Sequence, residues 1–401
     1  MSSLTSFGER VRALRLVRNM SQSELAHAIS LGTQDGNSVI SKIEKGRLHV
    51  DPVLAEALAA TLKCDVEFLR SPQLEMVASR PWLRAYADAP ARILESVVAD
   101  NLLAEEAIRR LKLRRLPERM PTFDGDANDD HEIERYAEDV RLAAEIPEGS
   151  VVPNAMRAAE RLGCVVLPLP GELGRHLGMS QRIDGVPFIR VSRAGDRHVG
   201  VPGDRQRFTL VHELGHLGMH AEVPPPESAD EARIVERQAH RFAGAFLTPA
   251  EPLLEDWQQL GGRVTLTVLK ELKATWGVSI KMLVMRLQQL GVVEADQATS
   301  LYRQISARGW NKAEPVETTT EEPIWLPRAM ERRFGTDDSV AAAREAARNV
   351  HLASDFVLAW IDWSPLGTPG DVLQLPSRPG RSAKDRDADG EIVSLTITRK
   401  R

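Results

Sequence analysis

Apolar residues recur at helical spacing through residues 4–70. The first pattern consists of Phe7, Val11 and Leu14, and it predicts an amphipathic helix. Four arginines would lie on the polar side of this helix: Arg10, Arg12, Arg15 and Arg18. Ser21 stands three residues before Glu24, which is a capping box and predicts the start of a second helix. The segment is therefore predicted to be a string of short helices.

A longer charged pattern over residues 92–119 predicts another amphipathic helix. The end of this helix is basic because of six residues: Arg109, Arg110, Lys112, Arg114, Arg115 and Arg119. Such an end could contact phosphates, although a charge run of this kind is more often simply solvated. From Pro117 to Asp130 the composition shifts to Pro, Gly, Asp and Asn, which is typical of a linker.

The next part of the chain combines helices with short strands. Helices are predicted over 131–145 and 153–162, and the apolar stretch Cys164–Leu169 predicts a buried strand. The run Val186–Val191, inside the segment Gln181–Ser192, predicts another strand. Its proline favours an edge position in the sheet.

Helical patterns dominate the chain after residue 204. They cover about 205–219, 228–247, 264–310 and 325–361. The remaining tail is rich in Pro, Gly, Ser and Asp, which predicts disorder, although Glu391–Thr398 could form a terminal strand. The expected fold class is therefore α+β, mainly helical, with a small sheet.

Composition and charge narrow the class of protein. A chain of 401 residues exceeds one compact core, and a net charge of −5 restricts any nucleic-acid surface to a local patch. No apolar run is long enough to span a membrane, and no secretory signal is recognised. The two cysteines, Cys64 and Cys164, exclude a disulfide framework and a cysteine-rich zinc site. We expect a cytoplasmic protein without membrane contact, in which a metal would bind to His and carboxylate ligands.

The segment Phe208–His216 contains His-Glu-Leu-Gly-His within a predicted helix. His212 and His216 lie one turn apart on one face, so both imidazoles can reach one ion. Glu213 projects beside them and is free to act as a general base toward an attacking water. The alternative is two histidines on an ordinary buried helix. We predict one Zn²⁺ per chain, although Mn²⁺ would accept the same ligands.

A third ligand is required, and Glu236 on the following predicted helix is preferred, because a charged side chain facing a core needs a partner. His220 is the rival, but it falls about 80° round the helix from His212. We expect it to support the ligands instead. His240 could orient Glu236 or stabilise an oxyanion, or it could be an ordinary surface histidine.

Three neighbouring features would complete this site. Asp204 could cap the start of the zinc helix. Gly215 would keep the approach to the metal open. The segment Gln181–Ser192 could receive an extended peptide as an added strand, which makes a peptide bond a better substrate than a small-molecule amide.

Taken together, these residues resemble the ImmA/IrrE family of metallo-endopeptidases. The matching sequences are Arg207–His216, His220, Glu236 with Ala239, Phe242 and Ala243, Leu247–Pro249, Trp276–Ser279, Arg308–Trp310 and Glu314–Pro315. The resemblance runs from about Ile133 to Pro315, roughly half of the chain.

This resemblance carries expectations about the site and its substrate. It implies that His212, His216 and Glu236 bind zinc, and that Glu213 is the catalytic carboxylate. The implied substrate is a helix-turn-helix repressor, because members cleave such repressors, often under stress or in mobile elements. His240 departs from the family, which usually has Asn at this position.

The N-terminal segment resembles the lambda-repressor-like (Xre, Cro/C1-type) helix-turn-helix family through Ser21–Ala26, Val39–Gly46 and Leu58–Ala59. The resemblance implies double-stranded DNA as a partner and a homodimer on paired half-sites. The residues expected to contact DNA are Gln22, Asn37, Ser38, Ser41, Lys42, Lys45 and Arg47. The loop Ser30–Asn37 is about four residues longer than the family's turn. A helical bundle for dimerisation or partner binding is the alternative.

The predicted organisation has five segments. They are a helix-turn-helix domain (1–72), a helical connector and linker (73–130), a zincin-like metallopeptidase domain (131–255), a helical extension (256–315), and a helical piece with a tail (316–401). The favoured function is a DNA-binding transcriptional regulator fused to a zinc endopeptidase that cleaves a repressor or similar regulatory protein. One alternative is a transcription factor or antitoxin-like regulator whose zincin domain is a non-catalytic sensor or partner-binding module. A zinc amidase for small substrates is another.

Overall fold

The computed structural model describes residues 6–32, 36–71, 76–83, 91–169, 178–193, 201–224 and 226–364. Within these ranges the protein is mainly helical with one small mixed sheet, as the sequence predicted. The described helices and strands all belong to one unit, Met1–Leu366. The candidate strand Glu391–Thr398 and most of the predicted tail lie outside the described residues.

Five short helices form the N-terminal bundle. They are α1 (Phe7–Val17), α2 (Gln22–Ala28), α3 (Gly36–Glu44), α4 (Pro52–Leu62) and α5 (Val66–Arg70). The predicted capping box is present at the start of α2, where Ser21 and Glu24 satisfy each other's backbone N–H groups. The string of short helices predicted for this segment is confirmed.

The polar side of α1 is partly buried. Arg10 pairs with Glu106 at 2.6 Å, and Arg15 pairs with Glu44 at 2.5 Å, all four side chains being buried. The prediction that both arginines lie on a polar surface was wrong, because carboxylates from other helices compensate their charge inside the fold.

A long helix, α6 (Ala91–Arg110), packs against α1. It ends before the predicted limit at residue 119, because Lys112 takes a left-handed φ of 50° and the chain continues to Asp129 without a helix. Arg109 and Arg115 near this end are engaged within the fold, since both pair with Glu105, whereas Lys112 and Arg114 are exposed.

Four strands form the sheet. They are β1 (Trp82–Leu83), β2 (Val165–Pro168), β3 (Gly178–Ile183) and β4 (Val186–Val191), in the spatial order β1-β3-β4-β2. β2 runs parallel to β4, and the other two neighbouring pairs are antiparallel. Asp184 and Gly185 join β3 to β4 with φ values of 46° and 82°, as a two-residue hairpin requires.

The predicted edge position of β4 was wrong, because β4 lies between β3 and β2. Pro187 is tolerated there because of the register. The hairpin closes at Ile183↔Val186, and β2 first pairs with β4 one residue after the proline, at Val165↔Phe188. No ladder hydrogen bond therefore needs the N–H that proline lacks.

Helices make up most of the remaining chain. They are α7 (Asp130–Ala143), α8 (Ala155–Arg161), α9 (Gly203–Met219), α10 (Ala229–Leu247), α11 (Ala250–Gln259), α12 (Leu266–Trp276), α13 (Ile280–Gln289), α14 (Ala295–Ala307), α15 (Trp325–Phe334), α16 (Ser339–Asn349) and α17 (Ser354–Ile361). The predicted capping of α9 by Asp204 was wrong. The N-cap is Pro202, and Asp204 pairs with Lys273 instead.

The sheet separates two hydrophobic cores. Val165 and Leu167 of β2 point into a core shared with the N-terminal bundle, α6 and α15–α17, whereas Val166 points into the core of α7–α14. This follows from the alternation of side chains along a strand. The C-terminal helices thus complete the core of the N-terminal bundle.

Candidate metal centre

The facing sides of α9 and α10 carry the three predicted ligands. Nε2 of His212 lies 3.1 Å from Nε2 of His216. The two carboxylate oxygens of Glu236 lie 3.4 Å from Nε2 of His212 and 3.5 Å from Nε2 of His216. The structure therefore brings these side chains within reach of a single ion.

Burial and mutual contact set the charge of two of these groups, His212 and Glu236. Burial lowers the pKa of His212 well below its ordinary value, which keeps the imidazole neutral. Burial alone would raise the pKa of Glu236, but its contacts with His212 and His216 outweigh this and lower it to about 2. Neutral imidazoles and an ionised carboxylate are the states in which these groups bind a metal.

His220 lies behind His216 and outside the three-residue cluster. Its Nδ1 is 3.0 Å from Nδ1 of His216, and its Nε2 is 3.1 Å from Oε1 of Gln238. Because an amide oxygen only accepts, this pattern assigns the His220 proton to Nε2 and makes its Nδ1 the acceptor for His216. The pair thereby leaves Nε2 of His216 unprotonated.

His240 contacts the site from α10. Its Nδ1 lies 2.6 Å from the backbone oxygen of Glu236, one helical turn earlier. The ring of His240 also meets the ring of His212 edge to face, with centroids 4.6 Å apart. His240 is therefore half-buried against a predicted ligand, and its Nδ1 bonds to the backbone of Glu236, not to the carboxylate.

Glu213 is fully buried beside the cluster. The hydroxyl of Ser180 on β3 donates a hydrogen bond of 2.7 Å to Oε2 of Glu213. Gly178, two residues earlier on the same face of β3, lies so close that an added Cβ would be 3.0 Å from Oε1 of Glu213. Sequence reasoning missed both residues, and its only available signal was two small residues alternating in a strand before the zinc helix.

Gly215 has a different role from the predicted one. An added Cβ at Gly215 would lie 2.8 Å from Cδ1 of Phe242 on α10. The glycine therefore allows α9 and α10 to approach closely, and the prediction that it opens the path to the metal was wrong.

The residues predicted to contact DNA lie on the N-terminal bundle. Five of them are exposed: Asn37, Ser38, Lys42, Lys45 and Arg47. Ser41 is half-buried, and so is Gln22, whose amide donates 2.7 Å to Oε2 of Glu44. The outer face of α3 is thus open to solvent, whereas Gln22 is engaged inside the bundle. Part of the loop Ser30–Asn37, residues 33–35, lies outside the described ranges.

Comparison with protein families supports a class for the part of the chain that carries the three predicted ligands. Residues 159–288 match the family model of the IrrE N-terminal-like domain, a peptidase family. The match spans β2 to β4 and both ligand-bearing helices, and it supports a metallopeptidase-like domain in this part of the chain. Neither the curated proteins nor the solved structures gave a match to the chain. Within the described residues, no helix is both long and apolar enough to cross a membrane.

Proposed function

We propose that this chain is a zinc-dependent endopeptidase with a DNA-binding module at its N-terminal end. The peptidase part rests on one observation, the convergence of His212, His216 and Glu236 beside the buried Glu213. The family match of residues 159–288 supports the same class.

The residues of the cluster fit zinc. Two imidazole nitrogens and one carboxylate oxygen are a common ligand set for a catalytic zinc site with one open position. Zinc bound there would supply Lewis-acid activation of the scissile carbonyl and of water. In this proposal Glu213 accepts a proton from the attacking water and returns it to the leaving amine. Ser180 fixes this carboxylate, and His220 holds the ring of His216.

The proposed substrate is a polypeptide. The outer edge of β3, which β1 now uses, runs beside Glu213. An extended chain could pair with this edge in place of β1, which a small amide could not do. The resemblance to the ImmA/IrrE family favours a helix-turn-helix repressor or a similar regulatory protein as this polypeptide.

The DNA-binding part rests on the exposed outer face of α3. Lys42 on α3, with Lys45 and Arg47 just after its end, offers cations for phosphates, beside Asn37 and Ser38 for base edges. A homodimer on paired half-sites belongs to the same proposal.

The test compares the parent protein with Glu213→Gln and His212→Ala. Metal analysis should find one zinc per chain in the parent and in Glu213→Gln, and much less in His212→Ala. Hydrolysis of fluorescein-labelled casein should fall at least about 100-fold in Glu213→Gln, because the general base is lost. All three proteins should bind a random-sequence DNA duplex equally, with an affinity that falls steeply as salt rises.

Equal hydrolysis by the parent and Glu213→Gln would refute the peptidase. If zinc is bound but the site hydrolyses no polypeptide, the domain is a sensor or partner-binding module. Duplex binding that is absent, or indifferent to salt, would refute the DNA-binding part.

A further inference from the structure

The outer edge of β3 is already paired with another part of this chain, residues 76–83. The N–H of Ser79 donates a hydrogen bond of 2.7 Å to the backbone oxygen of Arg182. The Ser79 hydroxyl accepts one of 2.8 Å from the N–H of Arg182. Further along, the backbone oxygen of Val77 accepts 2.8 Å from the N–H of Asp184. We call residues 76–83 the covering segment.

The covering segment follows β3 in antiparallel register up to the candidate metal centre. Ala78 pairs with Ile183, and Trp82 pairs with Ser180. Between these two pairs the covering segment advances by four residues while β3 advances by three. The extra residue is a β-bulge at Arg80 and Pro81. A bulge re-aims the side chains that follow it, and here the next residue is Trp82.

Trp82 lies against His216, one of the three predicted ligands, and against His220 behind it. Its ring stacks on the ring of His216, with centroids 5.2 Å apart and planes 5° from parallel, and it meets His220 at 5.6 Å. The residue opposite Trp82 on β3 is Ser180, which binds Glu213. The covering segment therefore lies where an extended substrate would pair with β3.

Two strands cannot use the same backbone groups of β3 at once. A substrate that adds to this edge needs the N–H and C=O groups that the covering segment now uses. In the segment Gln181–Ser192, which was predicted to receive a peptide, the β3 part is thus occupied by the protein itself, and the β4 part lies inside the sheet.

We propose that the covering segment is an intramolecular pseudosubstrate, which blocks the peptide-binding edge of β3 until it is displaced. The inference rests on the proposed function, since it assumes that this edge serves a polypeptide substrate. The segment follows the N-terminal bundle in the chain, so a partner that pulls on the bundle has a direct covalent connection to the cleft.

The direct test adds the segment back as a separate molecule. A fluorescein-labelled peptide of residues 76–83 is titrated into zinc-loaded Glu213→Gln protein, which cannot hydrolyse it, and binding is followed by anisotropy. A second protein, which we call the released form, carries Ser79→Pro and Trp82→Ala in addition to Glu213→Gln. These two changes remove the 2.7 Å hydrogen bond to Arg182 and the stacking on His216. The control carries Trp310→Ala, since Trp310 is also half-buried but lies beyond α14.

The released form should bind the peptide at least tenfold more tightly than Glu213→Gln and the control, because only its β3 edge is open. Hydrogen exchange of residues 178–183 should also be faster in the released form, with unchanged far-UV circular dichroism. Equal peptide affinity in all three proteins, or no binding to the released form, would overturn the proposal. So would cleavage of the metal-loaded parent within residues 76–83, because the segment would then be a substrate.

Hydrolysis separates this inference from the proposed function. With Glu213 intact, the Ser79→Pro/Trp82→Ala protein should cleave labelled casein at least tenfold faster than the parent. If it binds zinc and the peptide but cleaves nothing, the peptidase fails while the covering segment stands. If it cleaves no faster than the parent and binds no peptide, the covering segment fails while the peptidase stands.

Discussion

Glu213 owes its position to the small residues of a neighbouring strand. Gly178 leaves room for the carboxylate, and Ser180 donates to its Oε2, so the carboxylate is positioned from the β3 side. A general base must keep hydrogen-bond reach to the proton that it accepts, and a displacement of about 1 Å can cost about 100-fold in rate. The strand is therefore part of the candidate catalytic apparatus.

Replacing Gly178 with alanine should disturb this base without removing the ligands. The new Cβ would lie 2.6 Å from Cγ2 of Thr209 and 3.0 Å from Oε1 of Glu213, so a neighbour must move. We expect kcat on labelled casein to fall about 10- to 100-fold while zinc content stays at one per chain. Gly32→Ala is the control, because an added Cβ there meets nothing within 4 Å. An unchanged kcat would show that the contact does not hold Glu213.

At the scale of elements, the candidate metal centre depends on how closely α9 and α10 approach each other. The two histidines belong to α9 and Glu236 belongs to α10, so the spacing of the helices decides whether the third ligand is in reach. Gly215 lies in this contact, against Phe242. Helix spacing is set by the side chains at the crossing.

Gly215→Ala should therefore weaken the candidate metal centre by separating α9 from α10, without changing a predicted ligand. Its Cβ would lie 2.8 Å from a buried phenylalanine ring, so the helices must separate or the ring must move. We expect a loss of about 1–3 kcal/mol in unfolding free energy, despite alanine's better helix propensity, and weaker zinc binding in a chelator competition. Gly244→Ala on α10 is the control, because its Cβ would make only ordinary contacts at 3.4 Å. Equal melting and zinc affinity in the two variants would contradict the argument.

At the scale of the whole molecule, the two ends of the described chain share one core. Asp355 of α17 binds Arg18, at the end of α1, through two hydrogen bonds of 2.6 and 2.9 Å. Leu352 pairs with Cys64 in an isolated bridge beside this contact. The C-terminal helices therefore stabilise the N-terminal bundle directly.

This contact makes a pH-dependent contribution to stability. Burial alone would raise the pKa of Asp355, but Arg18 and Lys63 outweigh it and lower the pKa. A carboxyl whose pKa is lower in the folded state stabilises the fold above its unfolded pKa of about 3.9, and this is lost as the pH falls through the folded value. Asp355→Asn should thus cost about 2 kcal/mol at neutral pH, and the difference from the parent should shrink below about pH 4.

Urea unfolding at a series of pH values measures this difference. Asp362→Asn is the matched control, because Asp362 pairs with Arg193 at 3.2 Å with a half-exposed side chain, and such pairs contribute little. A cost for Asp355→Asn that is constant with pH would exclude the ion pair as its cause.

Some features of the fold could be predicted from local pattern, and others could not. The helices around His212 and Glu236 were predicted because the period of the apolar positions is a local property. The burial of Arg10 was not, because its partner Glu106 comes from a helix far along the chain. The interior position of β4 in the sheet was not predicted either, since it depends on which other strands pair with β4.

The sequence by itself determined which candidate groups this protein can offer: two imidazoles one turn apart, a carboxylate between them as candidate general base, and a further carboxylate on the next helix. Spacing along a helix fixes such relations, because a helix has one period. Tertiary structure alone decided that Ser180 holds Glu213, that the covering segment lies on β3, and that the C-terminal helices complete the N-terminal core. These contacts join residues far apart in the chain, and packing in three dimensions selects them.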